Sequence, residues 1–134
     1  MQQSAIKIVA RNFYESYNAC DLDRSFDQFI APDLINHTMG GDFDRQKWLL
    51  FDKAFIAACP DLRLNVAEQL SEGNRVVTHW TCKGTHTQTF FGMAASGNAI
   101  QLDGISIDGV ENWKINVHFC MADFTAFMQQ FTKK

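Results

Sequence analysis

From Leu62 onward, apolar residues recur at every second position in run after run. Only extended strands with one covered face satisfy that spacing. Leu62, Leu64, Val66 and Leu70 alternate with Arg63, Asn65 and Gln69, and Glu68 interrupts the series. "SEGNR" then reads as a hairpin turn. In "VVTHWTCKGTH" the even positions Val76, Trp80 and Cys82 point inward, leaving His79, Thr81 and Lys83 outside. The next run changes phase: Ile100 and Leu102 are even, Ile105 and Ile107 odd. A bulge at Gly104 absorbs that slip in this reading and bends the strand. "VENWKI" gives a further tight turn, and the last strand sets Trp113, Ile115, Val117, Phe119 and Met121 inward against Lys114, Asn116, His118 and Cys120.

The first half carries a different period. Ile6, Val9, Phe13 and Tyr17 recur every three or four residues, the mark of one helix face. Asp21 is the expected N-cap of a short second helix carrying Leu22, Phe26, Phe29 and Ile30, which Pro32 helps to end. "LINH" reads as a short strand, Gly40-Gly41 as a loop, and Asp44 as the cap of a third helix with Trp48, Leu49, Phe55 and Ile56 on or near its inner face, stopped at Cys59-Pro60. Three helices followed by a bent, mainly antiparallel sheet of about four long strands define an α+β fold. Helices across the concave side enclose a pocket. The 134 residues form one domain, 1–134, without repeat or linker.

Composition narrows the function. The net charge is −3, with Lys133-Lys134 the only adjacent basic pair, so neither a nucleic-acid footprint nor an anionic-membrane patch is expected. No apolar stretch is long enough to span a bilayer, and the N-terminus has no signal-like run. A cytoplasmic protein is expected, with the four cysteines, Cys20, Cys59, Cys82 and Cys120, as free thiols. The twelve phenylalanines fill a core, line a cavity or build an interface.

Asp123 stands where the period of two gives way to a helical pattern in Phe124, Phe127, Met128 and Phe131. It reads either as an N-cap or as a carboxylate in the wall of an apolar pocket, where desolvation would make it a better base. His37, before the glycine loop, is a candidate donor to a carbonyl or enolate oxygen. His86, in "GTHTQTFFG", reads equally as a pocket-mouth residue and as part of a polar loop. Tyr17, Trp48, Trp80, Phe119 and Met121 are the expected substrate-binding side chains. His79 and His118 take the outward parity and read as part of a solvated or dimer-facing surface. The four histidines show no HxH, HxxxH or HExxH spacing, so no metal is expected. There is no nucleophile elbow or phosphate loop.

Together, "FYESYNACDLD", "INH" before a glycine loop, "CPDLRLNV", "EGNRVVTHWTCKGTHT", "FFGMAASGNAI", "GISI", "VENWKINVHF" and the closing aspartate resemble the SnoaL-like polyketide cyclase group of the NTF2-like superfamily along nearly the whole chain. The resemblance implies an NTF2-like/cystatin-like cone with a deep apolar pocket, a homodimer formed through the sheet, and no cofactor. It implies a cyclase or isomerase that deprotonates carbon α to a carbonyl in a small apolar, polyketide-like ligand and closes a ring by aldol chemistry. Asp123 corresponds to the family's acid/base and His37 to its frequent histidine. The rival readings are a non-catalytic small-molecule-binding protein of the same fold and an epoxide hydrolase-like enzyme. The latter needs an inward arginine, and Arg63 has outward parity.

Overall fold

The computed structural model describes residues 1–38 and 41–134. Helix α1 (Gln3–Ser16) runs into a 3₁₀ turn (Tyr17–Ala19) and is followed by α2 (Leu22–Phe29), β1 (Ile30–Asn36), β2 (Phe43–Asp44) and α3 (Arg45–Ala58). Strands β3 (Arg63–Glu72), β4 (Arg75–Thr85), β5 (Ala99–Glu111) and β6 (Lys114–Ala122) come next, and α4 (Phe124–Gln130) closes the chain. The expected helix starts hold. Asp21 accepts the Arg24 N–H at 3.3 Å and Asp44 the Lys47 N–H at 2.8 Å, each satisfying a first-turn donor that the helix leaves free. Gly40 of the expected loop lies outside the described residues.

The strands form one six-stranded sheet in the order β2-β1-β6-β5-β4-β3. All its pairs are antiparallel except β1 with β6, which is parallel. The fold is α+β, with four helices packed on a curled, mixed sheet. Phe13 is the hub of the helix–sheet core. Its ring meets Tyr14, Tyr17, Phe26, Phe29 and Trp48 edge-on at 5.2 to 6.4 Å. Each such pair contributes about 0.5–1.5 kcal/mol beyond the area it buries.

Four strand expectations are corrected. First, β5 pairs with β4 without a slip from Ala99 to Gly109, so there is no bulge at Gly104. Gly104, Ser106 and Asp108 face inward while Ile105 and Ile107 are exposed. Gly104 is required by packing: a Cβ there would sit 2.2 Å from the Trp80 ring. Second, the extra residue lies in β6. Val110 pairs with Ile115 but Gly109 with Val117, so Asn116 is bulged and the phase reverses after it. His118 and Cys120 turn inward; Phe119 (40 % exposed) and Met121 (65 %) turn out, against expectation. Third, Asn112 and Trp113 both adopt positive φ, 51° and 64°, so Trp113 sits in the hairpin turn and is exposed rather than inward. Fourth, a similar slip between Val66 and Glu68 turns Leu70 outward and brings Gln69 in to bond the Lys7 carbonyl.

Gly104→Ala is expected to lower unfolding stability by about 1–3 kcal/mol, the cost of overpacking a filled core. Denaturant unfolding followed by tryptophan fluorescence would show it; an unchanged midpoint would mean that the Trp80 ring has room to move.

Candidate active site

Between the helices and the inner face of the sheet lies a cavity of about 490 Å³. That is the size of a small-molecule site. Its walls are largely apolar: Trp48, Phe51 and Phe55 from α3, Leu64 from β3, Trp80 from β4 and Phe127 from α4, among others. Into this surface project two carboxylate-centred groups, each on its own wall.

The first is built on the β5–β6 hairpin. Asp108 and His118 are direct cross-strand partners and are 0 % and 3 % exposed. His118 Nδ1 and Asp108 Oδ1 are 2.6 Å apart, while Asp108 Oδ2 accepts the Tyr14 hydroxyl at 2.5 Å. A carboxylate can only accept, so the hydrogen sits on Nδ1, and in the neutral imidazole the lone pair lies on Nε2. No described residue hydrogen-bonds to Nε2, and the His118 side chain lines the cavity. The Trp48 ring stacks on the imidazole, centroids 4.2 Å apart, and fixes its plane. Burial, then the Asp108 charge, pushes the Tyr14 hydroxyl well above its ordinary pKa, so it remains a donor. Trp80 stacks near Tyr14 and gives its indole N–H to Ser106 Oγ at 2.8 Å.

The second group is Asp52 on α3. Its Oδ2 accepts both the Tyr17 hydroxyl at 2.5 Å and the Trp48 Nε1–H at 3.0 Å. Trp48 and Asp52 stand one helical turn apart, so the indole bonds down its own helix face. Desolvation by burial raises the Asp52 carboxyl from 3.8 to about 6, against the opposing pull of the Tyr17 hydrogen bond, the nearby His118 and the Trp48 hydrogen bond. Burial also lifts the Tyr17 hydroxyl and drives the cavity thiols Cys82 and Cys120 to about 12, so these remain protonated.

The expected site residues divide. Tyr17, Trp48 and Trp80 line the cavity. Asp123 does not. It is exposed and its Oδ1 accepts the Ala126 N–H at 2.9 Å, so it takes the N-cap reading. His37 lies outside the cavity lining, paired with Asp42 at 2.7 Å and stacked on Phe119. His86 is fully buried, but it bonds Ser96 Oγ at 2.8 Å and packs edge-on against Phe131, which ties the 86–98 loop to the C-terminal segment. Phe119 and Met121 point to the opposite face of the sheet. No arginine lines the cavity among the described residues.

Sequence parity placed His118 outside and passed over Asp108 and Asp52. Hairpin counting alone sets Asp108 against Val117, and only the bulge seen in the structure moves it to His118. With Asn112-Trp113 as a two-residue turn, Glu111 faces Lys114. Counting back from it and adding one residue for the bulge brings Asp108 opposite His118.

A fold of this kind hosts many unrelated activities, so it narrows the family before it narrows the chemistry. The SnoaL-like polyketide cyclase family model matches residues 7–131, and the chain belongs to that family. No curated protein matches it. Among solved structures, AclR from Streptomyces galilaeus, provisionally described as a hydroxylase, superposes with a TM-score of 0.88 at 18 % identity, covering 99 % of this chain and 84 % of that one. IdmH from Streptomyces antibioticus, provisionally described as a polyketide cyclase, gives 0.80 at 24 % identity over 98 % and 99 %. TsrD from Streptomyces laurentii gives 0.82 at 19 % over 98 % and 97 %. At these identities the likeness shows the fold alone. No helix among the described residues is long and apolar enough to cross a membrane.

The raised Asp52 pKa has a consequence for stability. The folded state holds a proton that the unfolded chain releases near 3.8, so this stabilisation is full below 3.8 and is lost as pH rises through about 6. Asn at this position keeps an acceptor for Tyr17 and Trp48 without the charge. Asp52→Asn is therefore expected to be more stable than wild type at pH 8 by about 1–2 kcal/mol, the two-unit shift discounted for solvent screening of a half-buried carboxylate. The gain should shrink toward pH 5, as measured by urea unfolding at both pH values.

Proposed function

We propose that this chain is a cyclase or isomerase acting on a small apolar, polyketide-like carbonyl compound, and that His118 is its base. Nε2 takes a proton from the carbon α to a carbonyl, Asp108 stabilises the imidazolium that forms, and the enolate attacks a second carbonyl of the same molecule in an aldol ring closure. The observation that carries this reading is the buried Asp108–His118 pair, at 2.6 Å, in the wall of an apolar cavity. Holding the reacting carbons within an aromatic-walled space of this size supplies the proximity that such a closure needs. An aspartate thus still serves the chemistry, but it is Asp108 acting through His118, rather than Asp123.

β-Tetralone, a bicyclic ketone with acidic α-hydrogens, provides the test. Wild-type protein is expected to speed its uptake of deuterium from heavy water, followed by NMR. His118→Asn should abolish the acceleration. Asp108→Asn should cut it about 100-fold or more, because an amide facing Nδ1 no longer enforces the tautomer. Asp123→Asn, which preserves the helix cap, should leave it unchanged. Wild-type protein that binds β-tetralone in the cavity without exchanging its hydrogens would instead be a binding module.

We also propose a homodimer through the outer sheet face. Ile105 lies opposite Met121 and Ile107 opposite Phe119, and all four are exposed. An apolar patch of this kind on a strand pair is a common mark of a protein contact. The double change Ile107→Lys with Phe119→Lys is expected to convert a dimer to a monomer in light scattering; an unaltered mass would place the interface elsewhere.

A further inference from the structure

We propose, resting on the reading just given, that Asp52 is the second catalytic group of the cavity, the acid that hands a proton to the oxygen of the attacked carbonyl while His118 takes one from carbon. Ring closure has two ends. At one, a C–H bond breaks and an Nε2–H bond forms. At the other, the enolate carbon bonds to the carbonyl carbon and the C=O π pair moves to oxygen. That oxygen must then gain a proton. His118 cannot serve both ends in one step, since Asp108 holds its Nδ1 and only Nε2 remains.

Asp52 meets the geometric need. Trp48 links the two groups: its ring lies on His118 at 4.2 Å, and its Nε1–H bonds Asp52 at 3.0 Å. Both residues line the same cavity. Two donors are spent on Oδ2, which leaves Oδ1 without a partner among the described residues and available to carry the proton. The other polar groups of the lining are poor acids. Tyr14 and Tyr17 already donate to carboxylates and are raised well above 10, while Cys82 and Cys120 stand near 12. Lys47, the lining lysine, is exposed and outside this polar network. Asp52, near 6, is the lining acid closest to neutrality. Proton return from His118 to Asp52 through water completes the cycle, with no oxidant or co-reactant.

A methylcyclohexanedione carrying an oxobutyl arm, a triketone that closes to a bicyclic ketol, separates the two ends. Deuterium uptake at its α-carbons reads His118, and ketol formation reads the complete reaction. Asp52→Asn is expected to slow ketol formation about 100-fold more than it slows deuterium uptake. In wild type, ketol formation should fall as pH rises through about 6, where the acid ionises. Tyr17→Phe removes a hydrogen bond that favours the ionised form, so it should move that limb to higher pH. The titratable groups that face Asp52 are Tyr17, His118, Cys82 and Cys120. Equal slowing of both readouts in Asp52→Asn, or of neither, overturns the acid role and leaves His118 as base. Wild-type exchange without ketol does the same. Absence of any wild-type exchange would overturn the base assignment and the acid role with it.

Discussion

The register of the β5–β6 hairpin governs what the cavity contains. A two-residue turn at Asn112-Trp113 and one bulged residue, Asn116, bring Asp108 and His118 onto the same inner face as direct partners. Remove the bulge and the period of two would return Phe119 and Met121 to the inside and send His118 to the surface. One inserted residue therefore exchanges an apolar strand face for a buried aspartate–histidine pair. It also turns Phe119 and Met121 to the outer face beside Ile105 and Ile107 of β5, the surface we assign to a second copy of the chain.

The buried polar groups remain stable because each carboxylate is matched by donors. Asp108 receives Tyr14 and His118; Asp52 receives Tyr17 and Trp48. An unmatched carboxylate in such a place would cost several kcal/mol. Three of these four donors come from the helical layer and only His118 from the sheet. The helices are therefore more than a cover for the concave face: α1, the 3₁₀ turn and α3 each deliver a donor to a carboxylate shielded from solvent. Trp48 is central, since it stacks on one group, bonds the other and packs edge-on against Phe13 and Phe26.

Much of this architecture was legible from local rules. The caps at Asp21, Asp44 and Asp123 followed from residue type and position, because a first-turn N–H needs an acceptor and a short carboxylate supplies it. Tyr17, Trp48 and Trp80 followed from helix and strand faces that do not slip. His118 escaped because it lies beyond the slip in β6. Where the sheet is polar within and apolar without, hydrophobic parity assigns the faces backwards, as it did for Ile105, Ile107, Phe119 and His118. Asp52 escaped for another reason: one carboxylate on a helix with charged neighbours carries no periodic signal.

The sequence by itself determined the elements, their order, the helix starts and the family, because these depend on contacts within a few residues or on a pattern spread along the whole chain. Tertiary structure alone decided which carboxylates are buried and which face of β6 looks inward. Those outcomes depend on pairing between segments far apart in the chain: Tyr14 with Asp108, Tyr17 with Asp52, Trp80 against Gly104. The energy of such a contact belongs to both partners at once, and no local stretch contains it.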